Sequence, residues 1–410
     1  MTPAKWNIDA VRAQFPALSL SVNGQPAAFF DGPGGTQVPN RVLEAVSTYL
    51  TRQNANRHGQ FHTSAETDRI IDKSRHQLAT LLNAHRDEIA FGANMTTLNF
   101  ALAHALARDL EAGDEVIVTD LDHEANRAPW FMLKEKGVIV RRVPVDLATC
   151  TLDMTAFSNQ LSDRTRIIAV TAASNAVGTI PDLSEIRQRT PKAILVVDGV
   201  HYAPHEVSDM RKWDCDFFLC SAYKFFGPHI GILYGKRNAF EALQTDRVRA
   251  QQPTIPHRIE TGTLNHEGIA GAGAAVSFMM DPEGEHLDRP PEGGRERLVG
   301  QIRRMKAYEH GLMKDLLDGL DAISGLKPLG APDTENRTPT VSFTMEGCPA
   351  PQVARQLAER GIFVWDGDFY ATTLIEQLGL SESGVVRVGL APYNTQDEVM
   401  RLLDALERCQ

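Results

Sequence analysis

The feature that most constrains this protein is an alternation in the middle of its sequence. Short, mostly apolar, β-branched runs recur, separated by helix-length stretches. Glu115–Thr119 (EVIVT), Val138–Pro144, Arg166–Thr171 (RIIAVT) and Ile194–Val197 (ILVV) are such runs. Strands of this kind are covered on both faces, and parallel pairing with helical crossovers is what covers them. The helix-compatible Ala128–Lys136 fills one crossover. Phe217–Cys220 and Ile230–Tyr234 lie too close for a helix between them, so they are expected to pair through a short connection. The reading is an α/β fold with a mixed, mostly parallel sheet.

A second unit follows. With 410 residues, 42% of them apolar and 23% charged, the protein has ordinary globular composition and length for two domains. Asp281–Gly294 (DPEGEHLDRPPEGG) breaks the pattern and reads as a linker or surface loop. Beyond it come a long helical pattern at Arg295–Leu317, with Gly319 as its expected stop, and a strand at Thr340–Thr344. Next are a helix at Pro351–Arg360, a strand at Ile362–Trp365, an irregular loop and a strand at Val385–Leu390. The last helix, Thr395–Arg408, opens on a capping box of Thr395 and Glu398. The expected division is a large α/β domain at 20–280 and a small α+β domain from 1–19 and 295–410, joined by 281–294.

Charge and cysteine usage narrow the function. Acidic residues number 52 against 42 basic ones, a net charge of −10, which argues against nucleic acid and anionic membranes as partners. No apolar run is long enough to span a bilayer. The opening MTPAKWNIDAVRAQF lacks the apolar stretch of a signal peptide, so a cytoplasmic protein is expected. The five cysteines are odd in number and include no CxxC pair, so neither a disulfide framework nor a metal site is expected.

Two segments carry chemistry. In SAYKFFGPHIGILYGKR (Ser221–Arg237), Lys224 follows a buried strand and precedes Phe225 and Phe226. Desolvation there would lower its pKa and free a neutral amine as nucleophile; a lysine snorkelling from a strand end fits the segment equally well. In ILVVDGVH (Ile194–His201), Asp198 ends an apolar strand, at the sheet edge where open α/β folds bind ligands. A helix N-cap is the other reading of that aspartate. Together the two match what pyridoxal phosphate requires: a lysine to carry it and an acid on its pyridine nitrogen. The phosphate needs backbone N–H groups at a helix start, and Phe91–Leu106 (FGANMTTLNFALAHAL) offers one.

As an ordered set, from FFDGPGGTQVP (Phe29–Pro39) to RVGLAPYNT (Arg387–Thr395), these segments resemble the class V family of pyridoxal-phosphate enzymes. The branch they are most similar to is the cysteine desulfurase and selenocysteine lyase group. The resemblance implies the type I fold of these enzymes, with pyridoxal phosphate as cofactor. It implies that Lys224 carries the cofactor, that Asp198 holds the ring nitrogen, and that His123 (in LDHEAN) stacks on the ring and moves protons. Asn175 (in SNAVGT) matches the asparagine facing the ring oxygen and the bound amino acid. His201 stands where desulfurases have a glutamine. Ser221 and Tyr223 match phosphate-binding positions, Tyr223 replacing a histidine. Asn94 and Met95 match the phosphate loop, the methionine contributing only its N–H. Thr263 (in ETGTLN) matches a residue that reaches the neighbouring subunit's phosphate, which implies a homodimer with shared active sites. Arg387 matches the arginine that binds the substrate carboxylate, and a guanidinium fork suits that task. The substrate implied is a small α-amino acid.

The sequence departs from the desulfurases at one loop. Where they carry a nucleophilic cysteine, it reads DGDFYATTLIEQLGL (Asp366–Leu380), with Tyr370 at the matching position. Cys150, Cys215, Cys220, Cys348 and Cys409 all lie elsewhere and read as packing or bystander residues. Tyr370 is therefore expected as a general acid or base and Asp368 as a contact to the substrate's variable group. The expected activity is a lyase that cleaves a C–S or C–C bond in that group by β-elimination, without a persulfide. The alternatives are cysteine desulfurase or selenocysteine lyase activity, aminotransfer or epimerisation, and a cofactor-binding protein without turnover.

Overall fold

The computed structural model describes residues 6–285, 294–331 and 333–409; residues 286–293 of the expected linker lie outside the described residues. Seven strands among them form the principal sheet: β1 (Ile89–Gly92), β2 (Glu115–Thr119), β3 (Ile139–Val143), β4 (Thr165–Thr171), β5 (Ile194–Asp198), β6 (Phe217–Ser221) and β7 (Gly231–Gly235). Their order is β1-β7-β6-β5-β4-β2-β3. β3, β2, β4, β5 and β6 pair in parallel, and β7 runs antiparallel between β6 and β1. The short link before β7 leaves no room for a crossover, which is why that strand alone turns back.

Neighbouring residues on each strand point to opposite faces and bury against different partners. Val196, Phe217 and Leu219 pack with Leu98 and Leu102 of helix α2, whereas Val197, Phe218 and Cys220 pack with Ile71 and Leu78 of helix α1. These helices span His62–Leu82 (α1) and Met95–Leu106 (α2). Helix α3 (His266–Met280) lies in the same layer as α1. Its glycines make that possible: a Cβ on Gly273 would stand 2.5 Å from Ser74 Oγ.

Four further strands form an antiparallel sheet in the order β8-β9-β11-β10. They are β8 (Leu326–Leu329), β9 (Thr340–Met345), β10 (Trp365–Gly367) and β11 (Val385–Gly389). Helix α4 (Gly294–Ala322) has 29 residues, so it runs about 43 Å at 1.5 Å per residue. Its first half, with Leu298, Ile302 and Met305, joins the core of the large sheet; Leu312, Met313 and Leu316 join that of the small one. The expected stop at Gly319 is corrected: the helix runs through it, because the missing side chain admits α6 (Gln396–Glu407), where a Cβ on Gly319 would meet Leu403 at 2.3 Å. The expected strand Ile362–Trp365 is two pieces. Ile362–Phe363 pairs with Ala28–Phe29, and Trp365 begins β10. The expected helix Ala128–Lys136 is a single α-turn, Ala128–Phe131, continued by a 3-10 stretch. The loop before β11 contains a helix of its own, α5 (Thr372–Gln377). The capping box at Thr395 and Glu398 is formed. Near the N-terminus, Phe15 packs on Phe226, Phe278 and Tyr393, while Arg12 pairs with Glu398.

A buried ion pair fixes β1. Arg75 of α1 donates to Glu260 at 2.7 and 3.1 Å and to the carbonyl of Ile89, and Glu260 also accepts the Phe91 N–H at 3.0 Å. Burial by itself would raise the Glu260 carboxyl, but Arg75, His257 and the Phe91 N–H overcome it and hold it at about 2. Breaking a buried pair from one side leaves an uncompensated charge. Glu260→Ala is therefore expected to lower unfolding free energy by about 3–5 kcal/mol at neutral pH. The folded carboxyl sits below its ordinary 4.5, so this contribution is complete above that pH and fades as pH falls toward about 2. Denaturant titrations of wild type and variant should show a gap that closes along that course; a gap that widens in acid would refute the assignment.

Candidate active site

The parallel strands end together, and the site sits on those ends. Thr171, Asp198 and Ser221 terminate β4, β5 and β6. Above them is a cavity of about 820 Å³, whose lining includes Lys224, Asp198, His123, Asn175 and Arg387. Arg387 arrives from β11 of the small sheet, so the cavity has walls from both cores.

Lys224 ends a 3-10 turn that follows β6 directly. Its ammonium donates to the carbonyl of Pro33 and lies 4.9 Å from the Tyr223 ring centroid. Burial and the nearby Arg387 charge bring it down to about 7, against the opposing pull of Asp198. Half the population is then neutral near physiological pH, which is what a nucleophilic amine needs. Asp198 is 4% exposed and accepts the Val200 N–H at 2.9 Å. Burial raises it to about 6, partly offset by that hydrogen bond and by Lys224.

Arg387 is buried among polar and aromatic partners. Nη1 donates to the Asn175 carbonyl at 2.9 Å, and the guanidinium lies over the Phe369 ring at 4.0 Å. Burial lowers it to about 9, so it stays charged at neutral pH. Its Nε is buried without a partner, and so is Asn175 Oδ1. Buried groups of this kind are normally satisfied, and these two belong to residues lining one cavity. Asp31 is close enough for Arg387 to oppose the burial that raises its carboxyl to about 6.

His123 begins a short 3-10 turn and accepts the Ala125 N–H on Nδ1 at 2.9 Å. Burial, Lys224 and Arg387 together push it down to about 4, so its ring is neutral. Tyr370 lies beside it, ring centroids 5.4 Å apart, and is 69% exposed. The loop carrying Tyr370 is held by its backbone: Asn175 Nδ2 donates to the Phe369 carbonyl, and the Glu124 N–H to that of Tyr370, each at 2.8 Å. Phe369 and Tyr370 both adopt left-handed backbone, φ +56° and +58°. Two such residues in succession are strained and persist only where the surroundings impose them. Asp368 lines the cavity, but its carboxylate accepts the Tyr370 N–H and the Thr372 hydroxyl, which caps the loop against α5.

Asn94 caps α2 by accepting the Thr97 N–H at 2.9 Å, and the Met95 N–H donates to Ser221 Oγ at 2.9 Å. All four residues line the cavity, as do Tyr223 and His201. Gly231 permits that approach, since a Cβ there would meet the Asn94 carbonyl carbon at 2.5 Å. Tyr223 is stacked on His229 at 4.8 Å. His229, Thr96 and Thr171 also line the cavity and are not evident as site residues from the sequence; the GPH following Lys224 is the one signal for His229. Thr263 lies on the exposed surface and is not among the lining residues. All five cysteines are buried, the most exposed being Cys348 at 5%, and none lines the cavity.

The Aminotransferase class-V family model matches residues 28–402. "Aminotransferase-like protein FGM3" of Gibberella zeae is 32% identical, the match covering 99% of each protein. A cysteine desulfurase of Pectobacterium carotovorum is also 32% identical, over 98% of each. Among solved structures, the apo cysteine desulfurase of Thermococcus onnurineus NA1 superposes with a TM-score of 0.87 at 25% identity, covering 100% of this protein and 99% of the other. The cysteine desulfurase CsdA of Escherichia coli gives 0.85 at 26%, covering 99% and 98%.

Enzymes of this family use pyridoxal phosphate, and the residues present fit it. A half-neutral lysine, a buried carboxylate on a strand end, a capped helix start and two orphaned polar atoms surround one cavity. This protein belongs to the class V aminotransferase family and is a pyridoxal-phosphate-dependent enzyme of the type I fold.

Proposed function

We propose that the enzyme is a lyase that removes a β-substituent from a small α-amino acid, cleaving a C–S or C–C bond without forming a protein persulfide. The observation that carries this reading is the composition of the cavity wall: Lys224, Asp198, Arg387 and Tyr370 line it and no cysteine does. Bound pyridoxal phosphate supplies an electron sink for the pair released at the substrate's α-carbon. Asp198 would hold the ring nitrogen, and the Asn94–Met95 helix start, Ser221 and Tyr223 would hold the phosphate. Lys224 would carry the cofactor, and its amine, when free and neutral, would take the substrate's α-proton. The open Nε side of Arg387 binds the substrate carboxylate, with Asn175 beside it. His123, held neutral by burial, would pack over the cofactor ring. The Tyr370 hydroxyl gives its proton to the leaving group. Asp368 holds the loop that presents Tyr370 and contacts the substrate's variable group through that loop.

The relatives named as cysteine desulfurases favour a second reading, sulfur transfer from cysteine. That chemistry needs an accessible thiol, and burial pushes the thiols of Cys215 and Cys220 far above their ordinary range. The two-unit division, at 20–280 against 1–19 and 295–410, belongs to the proposal. So do a cytoplasmic location and a homodimer in which Thr263 reaches the partner's cofactor. An apolar groove of about 430 Å³ on the helix Asn40–Thr48, bordered by Val42, Leu43, Val46 and Leu50, suits such contact. No helix among the described residues is long and apolar enough to cross a membrane.

Three outcomes are expected. Holoenzyme given a panel of amino acids should release a 2-oxo acid and ammonia from one of them, and each single Cys→Ala variant should keep that rate within about threefold. Loss of turnover in one of these variants, with a persulfide found on that cysteine in wild type, would return the enzyme to sulfur transfer. Loading of apoenzyme should accelerate with a midpoint near pH 7, where Lys224 loses its proton. A midpoint above 9 would remove the neutral-amine argument. Arg387→Lys should weaken amino-acid binding about 10- to 100-fold, as expected when a charged hydrogen-bond fork is lost. Binding would be followed by the substrate-induced change in cofactor absorbance.

A further inference from the structure

Directly behind the cofactor cavity lies a relay of buried titratable groups with no role in the reaction described so far. His201 lines the cavity and is 3% exposed; His205 is 5% exposed; Glu309, from the middle of α4, is fully buried. His205 Nδ1 donates to Glu309 Oε2 at 3.0 Å. The His205 ring meets the His201 ring edge to face, centroids 5.8 Å apart and planes at 68°. His201 Nε2 is bonded to the Thr340 hydroxyl at 3.0 Å. The relay therefore runs from α4 through the turn after β5 to β9 of the small sheet.

Glu309 is out of place as a structural residue. Its neighbours on the buried face of α4 are Met305, Leu312 and Met313, and its second carboxylate oxygen is buried without a partner. An aliphatic residue would fill that position without such a penalty. What the carboxylate supplies is direction. By accepting the Nδ1 proton it fixes which way the His205 ring faces. The His205 ring beside it disfavours a second proton on His201. Burial does the same first, and Lys224 and Arg387 add to it from the cavity side. With Nε2 engaged by Thr340, Nδ1 is the His201 nitrogen left for the cavity.

We propose that Glu309 and His205 are positioning residues of the cofactor site: they hold His201 neutral and in one tautomer, so that it meets the cofactor through a single, fixed hydrogen-bonding nitrogen. The inference stands on the cofactor assignment and holds whichever bond the enzyme cleaves. The other charged groups around the relay are accounted for. His310 faces His205, Glu206 faces Glu309 and is itself paired with Lys306 at 2.5 Å, and the Tyr308 and Tyr393 hydroxyls also sense Glu309.

The test uses Glu309→Gln and His205→Asn, with Met313→Ala as a control that perturbs the packing of the same buried helix face without removing a titratable group. Nitrogen-15 spectra of the imidazole rings, in apo and holo protein, report the His201 tautomer directly. The pH midpoint of cofactor absorbance and the dissociation constant for pyridoxal phosphate report its effect. Both relay variants should show His201 nitrogens averaged between tautomers, an absorbance midpoint displaced by about half a pH unit or more, and cofactor affinity reduced about tenfold, the scale on which outer partners of a ligating histidine act. Glu309→Asp should recover part of each change. Met313→Ala should lower thermal stability and leave the His201 nitrogens and the midpoint alone. If folded Glu309→Gln or His205→Asn keeps the wild-type His201 nitrogen shifts and midpoint, or moves them no further than Met313→Ala does, the proposal is wrong. Should Glu309→Gln fail to fold, His205→Asn decides alone.

Discussion

A buried carboxylate, Asp198, and two cations, Lys224 and Arg387, line one cavity, and the rest of the molecule is arranged around them. Desolvation penalises every charge there; Asp198 and Lys224 offset one another in part, while Arg387 is offset by Asp31 and adds to what lowers Lys224. Of the two cations, guanidinium holds its proton far more tightly, so the lysine is the group that yields. The neutral amine is thus produced by burial first and by the Arg387 charge second, and requires no dedicated base. The arrangement depends on rigid delivery. Asp198 and Lys224 come from adjacent strands of the parallel sheet, and Arg387 is brought from the second sheet, whose packing on α4 continues from the first core to the second.

Much of the first sheet is legible in the sequence because its strands are apolar on both sides. EVIVT is the strand Glu115–Thr119, and ILVV extends only to include Asp198. Helices are less legible. His266–Met280 reads as a run of glycines and alanines, and glycine ordinarily breaks helices. Here each glycine answers a neighbour: Gly271 makes room for Pro228 and Val46, and Gly273 for Ser74. That requirement is set by elements far away in sequence, so no local rule reveals it. Gly319 misleads in the same manner, a packing glycine with the local look of a stop.

The site divides along similar lines. Lys224 and Asp198 announce themselves because each sits at the end of an apolar run. The contact between Arg387 and Asn175 spans 212 positions, and that between His205 and Glu309 spans 104. Spacing carries no trace of either. The same holds for Arg75 and Glu260, separated by 185 positions. Residues whose partners come from another layer are legible only once the layers are assembled.

The loop beside the cavity mouth shows how such an enzyme could change its diet. Its two anchors are backbone carbonyls, those of Phe369 and Tyr370, gripped by Asn175 and by the start of the Glu124 turn. Backbone anchors are indifferent to the residue type that carries them. A single codon change at the exposed Tyr370 would alter what the incoming molecule meets while leaving the loop's path intact, and residues that tolerate left-handed backbone, such as asparagine or glycine, would do so at least strain. The scaffold therefore fixes the loop's path through its backbone and leaves the Tyr370 side chain at the cavity free of that task.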